Sequence, residues 1–227
     1  MSDKPILFSG PMVRALLEDR KTQTRRILTH APAKWDFMPE GMISRLDGKG
    51  ACFRWRAKLH KGDEIHDCNI PIAPGDRLWV KEAHYAYGFW RTTKEITKKT
   101  GKFKREFVRY PVNPVIFDAP PDLLSGRLEK KPGFYKRSSL FMPKADSRLF
   151  LEVLNVRVQR LLDIDEVDAK AEGPSQHPMY PSEYYVSWRE AFKHLWDSIN
   201  EPSAPWSDNP WVVAYRFKVV SSNISTA

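Results

Sequence analysis

Apolar residues recur along this chain with two different periods. Behind Gly10-Pro11, the residues Met12, Val13, Leu16 and Leu17 fall at i, i+1, i+4 and i+5, the spacing of a short amphipathic helix that runs out near Asp19-Arg20. Trp188, Ala191, Phe192, Leu195, Trp196 and Ile199 mark a second, better-defined amphipathic helix, whose stripe reads as core. Elsewhere the period shortens to two. After the turn at Pro74-Gly75-Asp76, residues Arg77 to Lys81 alternate as a strand with Leu78 and Val80 on one face. Ser147 to Leu161, rich in leucine and valine, predicts one long strand or two halves around a bulge. Glu166 to Glu172 then reads as a short helix that Asp165 caps and Gly173 ends. Trp211 to Val220 closes the domain as a strand with Trp211, Val213, Tyr215, Phe217 and Val219 on one face, and the Ser-rich end from Ser221 is expected to fray.

The middle of the chain lacks such a pattern. From Trp90 to about Lys144, Pro and Gly punctuate a stretch of weak periodicity, which predicts a long insertion with little regular structure. Strands interspersed with short helices predict an α+β fold, a mixed β-barrel with short flanking helices rather than a βαβ sheet. The expected organisation is one domain over residues 1–220, with the insertion at about 90–144 and a flexible tail over 221–227.

Composition narrows the class. A chain of 227 residues suits one enlarged domain or one domain plus a small appendage. No run of about 18 apolar residues is present, so no membrane-spanning helix and no membrane partner are expected. Met-Ser-Asp-Lys-Pro opens the chain without the apolar stretch of a secretory signal. Two cysteines, Cys52 and Cys68, are too few for a disulfide scaffold, which fits a reducing cytoplasm. Lys and Arg total 37 against 28 Asp and Glu, a net charge of +9. Much of that excess is local: Arg91, Lys94, Lys98, Lys99, Lys102, Lys104, Arg105 and Arg109 face only Glu95 and Glu106 in the same stretch. A second cluster follows at Arg127, Lys130, Lys131, Lys136 and Arg137. Such a surface reads either as a solvated loop or as one that contacts phosphates, with nucleic acid, RNA before DNA, as the partner and Arg91 to Arg105 as the contacts.

Other chemistries find little support. Cys52, His60, His66 and Cys68 are separated by seven, five and one residues, spacings that match no usual zinc pattern. Gly48-Lys49-Gly50 lacks the spacing of a phosphate loop, and His177 has no visible partner in its Pro-rich surroundings. Neither a metal nor a cofactor is expected.

Four segments, in order, resemble the ASCH family: the helix running into Asp19-Arg20-Lys21-Thr22-Gln23-Thr24-Arg25-Arg26, the Pro-Gly-Asp turn before a strand, Asp168-Ala169-Lys170-Ala171-Glu172-Gly173, and the terminal strand ending Phe217-Lys218-Val219. Leu78-Trp79-Val80-Lys81-Glu82, Leu195-Trp196-Asp197-Ser198-Ile199-Asn200 and Asn209-Pro210-Trp211-Val212 resemble a longer version found in phage and prophage genomes. The resemblance spans roughly residues 5–30, 70–85 and 145–220 and leaves the basic insertion uncovered. Of the family's Gly-x-Lys-x-x-x-x-Arg signature, Lys21 and Arg26 are in place while Asp19 stands where the Gly would be. The resemblance implies a PUA-like β-barrel, related to RNA-binding domains. One small member of the family is an amidohydrolase that removes the acetyl group from N4-acetylcytidine, and its catalytic Lys, Thr and Glu fall on Lys21, Thr24 and Glu172.

The chemistry is coherent on its own terms. A Thr hydroxyl attacks an amide only when a base takes its proton and the developing oxyanion is stabilised. Lys21 suits the role of base if burial and the neighbouring Arg25 and Arg26 lower its pKa, and Glu172 suits the role of orienting it or passing a proton to the leaving amine. In a regular strand Lys21 and Thr24 would point to opposite faces, so a turn or bulge must intervene. The plainer alternative makes Lys21 a helix-terminal cation, Thr24 a strand residue and Glu172 a surface carboxylate. Arg26 is expected to bind substrate or to sit in a buried ion pair, Glu82 is an alternative acid, and Trp79 either stacks on a base or fills the core. Two classes of function follow: an amidohydrolase acting on an acylated pyrimidine base or nucleoside, free or within nucleic acid, or a non-catalytic PUA-like RNA- or DNA-binding module of phage or prophage origin. A ribonuclease is weaker, because no pair of His residues has a suitable spacing.

Overall fold

The structure, a computed structural model, describes residues 3–29, 38–44, 51–59, 62–118, 123, 131–175 and 187–222. Strands dominate and helices are few, the mixed α+β class that the patterning predicts. In chain order the elements are β1 (Asp3–Leu7), α1 (Gly10–Leu17), β2 (Gln23–Ile27), β3 (Met38–Ser44), β4 (Ala51–Leu59), β5 (Gly62–Ile70), β6 (Arg77–Lys81), β7 (His84–Ile96), β8 (Phe103–Arg109), β9 (Gly133–Arg137), β10 (Leu149–Arg160), α2 (Glu166–Ala171), α3 (Trp188–Asn200) and β11 (Trp211–Ser222). Among the described residues they form a five-stranded sheet in the order β1-β6-β10-β11-β2 and two three-stranded sheets, β3-β4-β5 and β8-β7-β9. The chain divides into two units, one built mainly from Pro11–Leu78 and Leu149–Ser222, the other from Pro5–Gly10 and Trp79–Arg148. No helix among the described residues is long and apolar enough to cross a membrane.

The first unit is organised by the long antiparallel pair of β10 and β11. Leu149, Leu151 and Val153 are buried at odd positions and Val156 at an even one. A register shift between Val153 and Asn155 makes this possible, because one extra residue swaps the face that the following side chains occupy. The long strand around a bulge is thus a single strand. β11 departs from simple alternation: Val212, Val213, Ala214 and Tyr215 are all buried. The second face of this stretch is covered, since Val212 joins Leu161, Ile164, Ala169, Phe192 and Trp196 in one apolar cluster beneath α2 and α3. Trp196 keeps its indole N–H satisfied there by donating to the Ala204 carbonyl at 2.9 Å.

The five-stranded sheet ends at β1 on one side and β2 on the other. Among the described residues the sheet therefore stays open rather than closing into the expected barrel. Four consecutive residues of β2, Thr24 to Ile27, line a cleft, which a strand can do with both of its faces only at an unpaired edge.

In the second unit the structure corrects the expectation of an irregular insertion. β7, β8 and β9 form an antiparallel sheet with β7 at its centre, and the β7–β8 turn is closed by Thr97 N–H to Lys102 O at 2.8 Å with Gly101 at φ +65°. Its periodicity is hidden because aromatic side chains stand on both faces. Gly88 is required inside β7, since a Cβ there would lie 2.3 Å from the Val108 carbonyl oxygen.

Candidate functional site

α1 ends in a left-handed residue. Asp19 has φ +55°, and Arg20 N–H and Lys21 N–H both donate to the Ala15 carbonyl, at 2.9 and 3.0 Å. Asp is among the few residue types other than Gly that adopt this conformation. This turn sends Lys21 inward before β2 starts at Gln23, so the opposed-face objection to pairing Lys21 with Thr24 does not arise. Lys21 is only 1% exposed.

α2 approaches from the other side. Asp165 caps it by accepting from Asp168 N–H at 2.7 Å, and Gly173 ends it at φ +77°. The helix end leaves the Glu172 carbonyl without an intrahelical partner, and Lys21 Nζ donates to it at 2.7 Å and to the same residue's Oε2 at 3.1 Å. Arg25 Nη1 takes Glu172 Oε1 at 2.9 Å, while its Nη2 reaches Asp168 Oδ2 at 2.9 Å. Arg157 Nη2 donates to that same Asp168 oxygen at 2.6 Å. The result is a continuous chain of alternating charge, Lys21, Glu172, Arg25, Asp168, Arg157.

Burial sets the electrostatics. Loss of water around the Lys21 ammonium holds its pKa below the ordinary lysine value; the Glu172 carboxylate opposes the shift, and Arg26 and Arg25 add to it. Burial also lowers Arg26, against the pull of Glu172 and Tyr215. The Tyr215 phenol is pushed up to about 12 by burial, although Arg26 works the other way. For Asp168, burial raises the pKa, but hydrogen bonds from Arg157 and Arg25 outweigh it and the carboxyl lies below its ordinary range.

The cleft at the β2 edge has a volume of about 250 Å³. Thr24, Arg25, Arg26 and Ile27 form one wall, Glu172 and Met12 contribute, and the α3 side chains Phe192, Leu195, Trp196, Ile199 and Asn200 form the apolar side. Thr24 is 2% exposed. Thr24, Arg26 and Glu172 therefore meet at one cleft. Lys21 is not on its wall but is bound to Glu172.

Trp79, Glu82 and the basic stretch lie in the second unit. Glu82 receives Arg148 Nε and Nη2, both at 2.9 Å, a bidentate structural pair. Trp79 lies 5.3 Å from the Lys81 ammonium. On the basic hairpin Arg91 pairs with Glu106, and Lys104 with Glu95 at 3.2 Å. Lys94, Lys98, Lys99, Lys102 and Arg105 are exposed and have no acidic partner among the described residues. Cys68 is buried, whereas His60, His177 and the side chains of Cys52 and His66 lie outside the described residues. Sequence reasoning missed Asp168 as the second carboxylate of the network. Its i, i+4 spacing from Glu172 was the available signal.

Comparison of the chain with family models, with curated proteins and with solved structures finds no match.

Proposed function

We propose that this chain is an ASCH-type, PUA-like amidohydrolase whose cleft at the β2 edge removes an acyl group from a modified pyrimidine base or nucleoside of the N4-acetylcytidine kind, free or within nucleic acid. The observation that carries this reading is the buried Lys21–Glu172 pair, with its lowered lysine pKa, whose Glu172 lines one cleft together with Thr24. In this mechanism the Thr24 oxygen attacks the acyl carbon as its hydroxyl proton passes by way of the Glu172 carboxylate to the amine form of Lys21. The oxyanion develops beside Arg26. The C–N bond breaks as the exocyclic nitrogen receives the proton back from Lys21 by way of Glu172, and water then cleaves the Thr24 ester to release the carboxylic acid and restore the hydroxyl. The apolar α3 wall suits the flat face of the base.

Acetate release from N4-acetylcytidine tests the reading. Wild type is expected to release acetate and Thr24→Ala and Lys21→Met to lose that activity; indistinguishable release by all three removes it. A second reading, a non-catalytic nucleic-acid-binding module, is favoured by the lysines of the β7–β8 hairpin that have no acidic partner among the described residues. It is tested by oligonucleotide titration across salt concentrations, since phosphate contacts lose affinity steeply as salt rises.

A further inference from the structure

Burial alternates along the first half of β7. His84, Ala86 and Gly88 are buried, while Tyr85, Tyr87 and Phe89 are half-buried. The second set forms the outward face of the β8-β7-β9 sheet, the face on which an antiparallel sheet ordinarily carries polar side chains. Cross-strand register adds Phe134 opposite Tyr87 and Lys136 opposite Tyr85. The rings touch in a continuous row: Tyr87 and Phe134 meet edge to face at 5.2 Å, and Tyr110 packs 5.9 Å from Tyr87 and 6.0 Å from Phe89. Tyr110, just beyond β8, is 41% exposed. The same strand continues through Arg91 into the hairpin, where Lys94, Lys98, Lys99 and Lys102 have no acidic partner among the described residues.

We propose that this outward face binds single-stranded nucleic acid, with bases stacked on Tyr87, Phe89, Tyr110 and Phe134 and phosphates held by the hairpin lysines. The inference rests on the reading of that hairpin as a phosphate-contacting surface, and it adds a platform and a strand preference that charge alone does not supply. Aromatic rings on an exposed sheet face take unstacked bases of any sequence. Duplex bases already stack on one another and gain nothing from such rings. Lysines are point charges that follow a phosphate backbone without reading base edges. Both hairpin carboxylates, Glu106 and Glu95, are spent in internal pairs, so the positive field of the remaining lysines is left for an acidic partner. An acidic protein would satisfy the lysines while leaving the rings without a role.

The test is fluorescence anisotropy of a short labelled oligouridylate with the full chain, alongside an RNA duplex of equal length and polyglutamate as competitor. The single strand is expected to bind more tightly than the duplex and to resist polyglutamate. Tyr110→Ala is expected to weaken binding about tenfold, the loss of one stacked base, whereas Tyr110→Phe keeps it. Tyr110 lies outside the strands, and an unchanged thermal melt confirms that its variants fold. Lys98→Glu with Lys99→Glu should weaken binding and flatten its salt dependence. Equal affinity for duplex and single strand with no effect of Tyr110→Ala overturns the platform and leaves the hairpin reading standing. Absence of any binding at low salt overturns both. Neither result touches the cleft, because the assay reads binding and not acyl release.

Discussion

Gly173 sits so close to Lys21 that a Cβ added to it would lie 2.8 Å from the Lys21 Cβ and 3.0 Å from that of Ala15. Its φ of +77° adds a second reason for glycine at this helix end. The close approach is what lets the buried Lys21 ammonium reach the Glu172 carbonyl. Gly173→Ala is therefore expected to destabilise the protein by about 2 kcal/mol, the left-handed strain plus displacement of Lys21. Denaturant titration checks this. A variant as stable as wild type would mean that the turn has room to spare.

Removing either partner of the Lys21–Glu172 pair should have unequal effects. Glu172 serves two cations, so Glu172→Gln removes the carboxylate from both at once, leaving Arg25 its Asp168 contact at 2.9 Å and Lys21 its bond to the residue 172 carbonyl, and is expected to cost about 3 kcal/mol. Lys21→Met leaves Glu172 still bound by Arg25 at 2.9 Å and should cost distinctly less. In the acetate assay the order changes, because Lys21→Met removes the base and is expected to abolish release in a protein that still folds. Chemical denaturation of both variants, with the double variant to close the cycle, separates the structural role from the catalytic one.

Lys21 and Asp168 predict opposite ends of the pH profile. Lys21 has a lowered folded pKa, so between that value and the ordinary lysine value of 10.5 the unfolded chain binds more protons than the folded one, and stability relative to Lys21→Met rises with pH through that window. Asp168 also has a lowered folded pKa, so its stabilisation is present above its ordinary value of 3.8 and is lost as pH falls through the folded pKa. Stability curves of Lys21→Met and Asp168→Asn against pH should each differ from wild type in slope only in its own window. Acyl release, if the amine form of Lys21 is the base, should rise with pH to a plateau reached below the ordinary lysine range.

The parts of this site that were legible in the sequence are those set by near neighbours in the chain. Asp165 and Gly173 bracket α2 as cap and stop, and both do their work within four residues. The α3 stripe identified Phe192 and Trp196 as inward-facing, though as core and not as the wall of a cleft. What stayed hidden depends on distant partners. Arg25 and Arg157 meet Asp168 across 143 and 11 residues, and no spacing rule announces such a pairing. β11 is buried on both faces because α2 and α3 cover it, which its own alternation cannot express. β7 was obscured for a different reason: period-two patterning detects a strand only when its outward positions are polar, and here Tyr85, Tyr87 and Phe89 occupy them.

Asp19 offers a test of the turn that delivers Lys21. The residue follows α1 with φ +55°, and its N–H donates to the Leu16 carbonyl at 3.2 Å. Two features oppose it there. A side chain with a Cβ is strained in the left-handed region, and a carboxylate at a helix C-terminus faces the negative end of the dipole. Asp19→Gly relieves both, at the cost of a more flexible unfolded chain, and is expected to raise stability by about 0.5–1 kcal/mol. Asp19→Asn relieves only the charge and should gain less, while Asp19→Ala, which relieves the charge but cannot hydrogen-bond locally in this conformation, should gain least or lose. Denaturation midpoints ranked Gly, Asn, Ala would show that the turn, not the carboxylate, is what position 19 contributes. Wild type more stable than Asp19→Gly would instead assign the carboxylate a stabilising contact that the helix-end geometry does not provide.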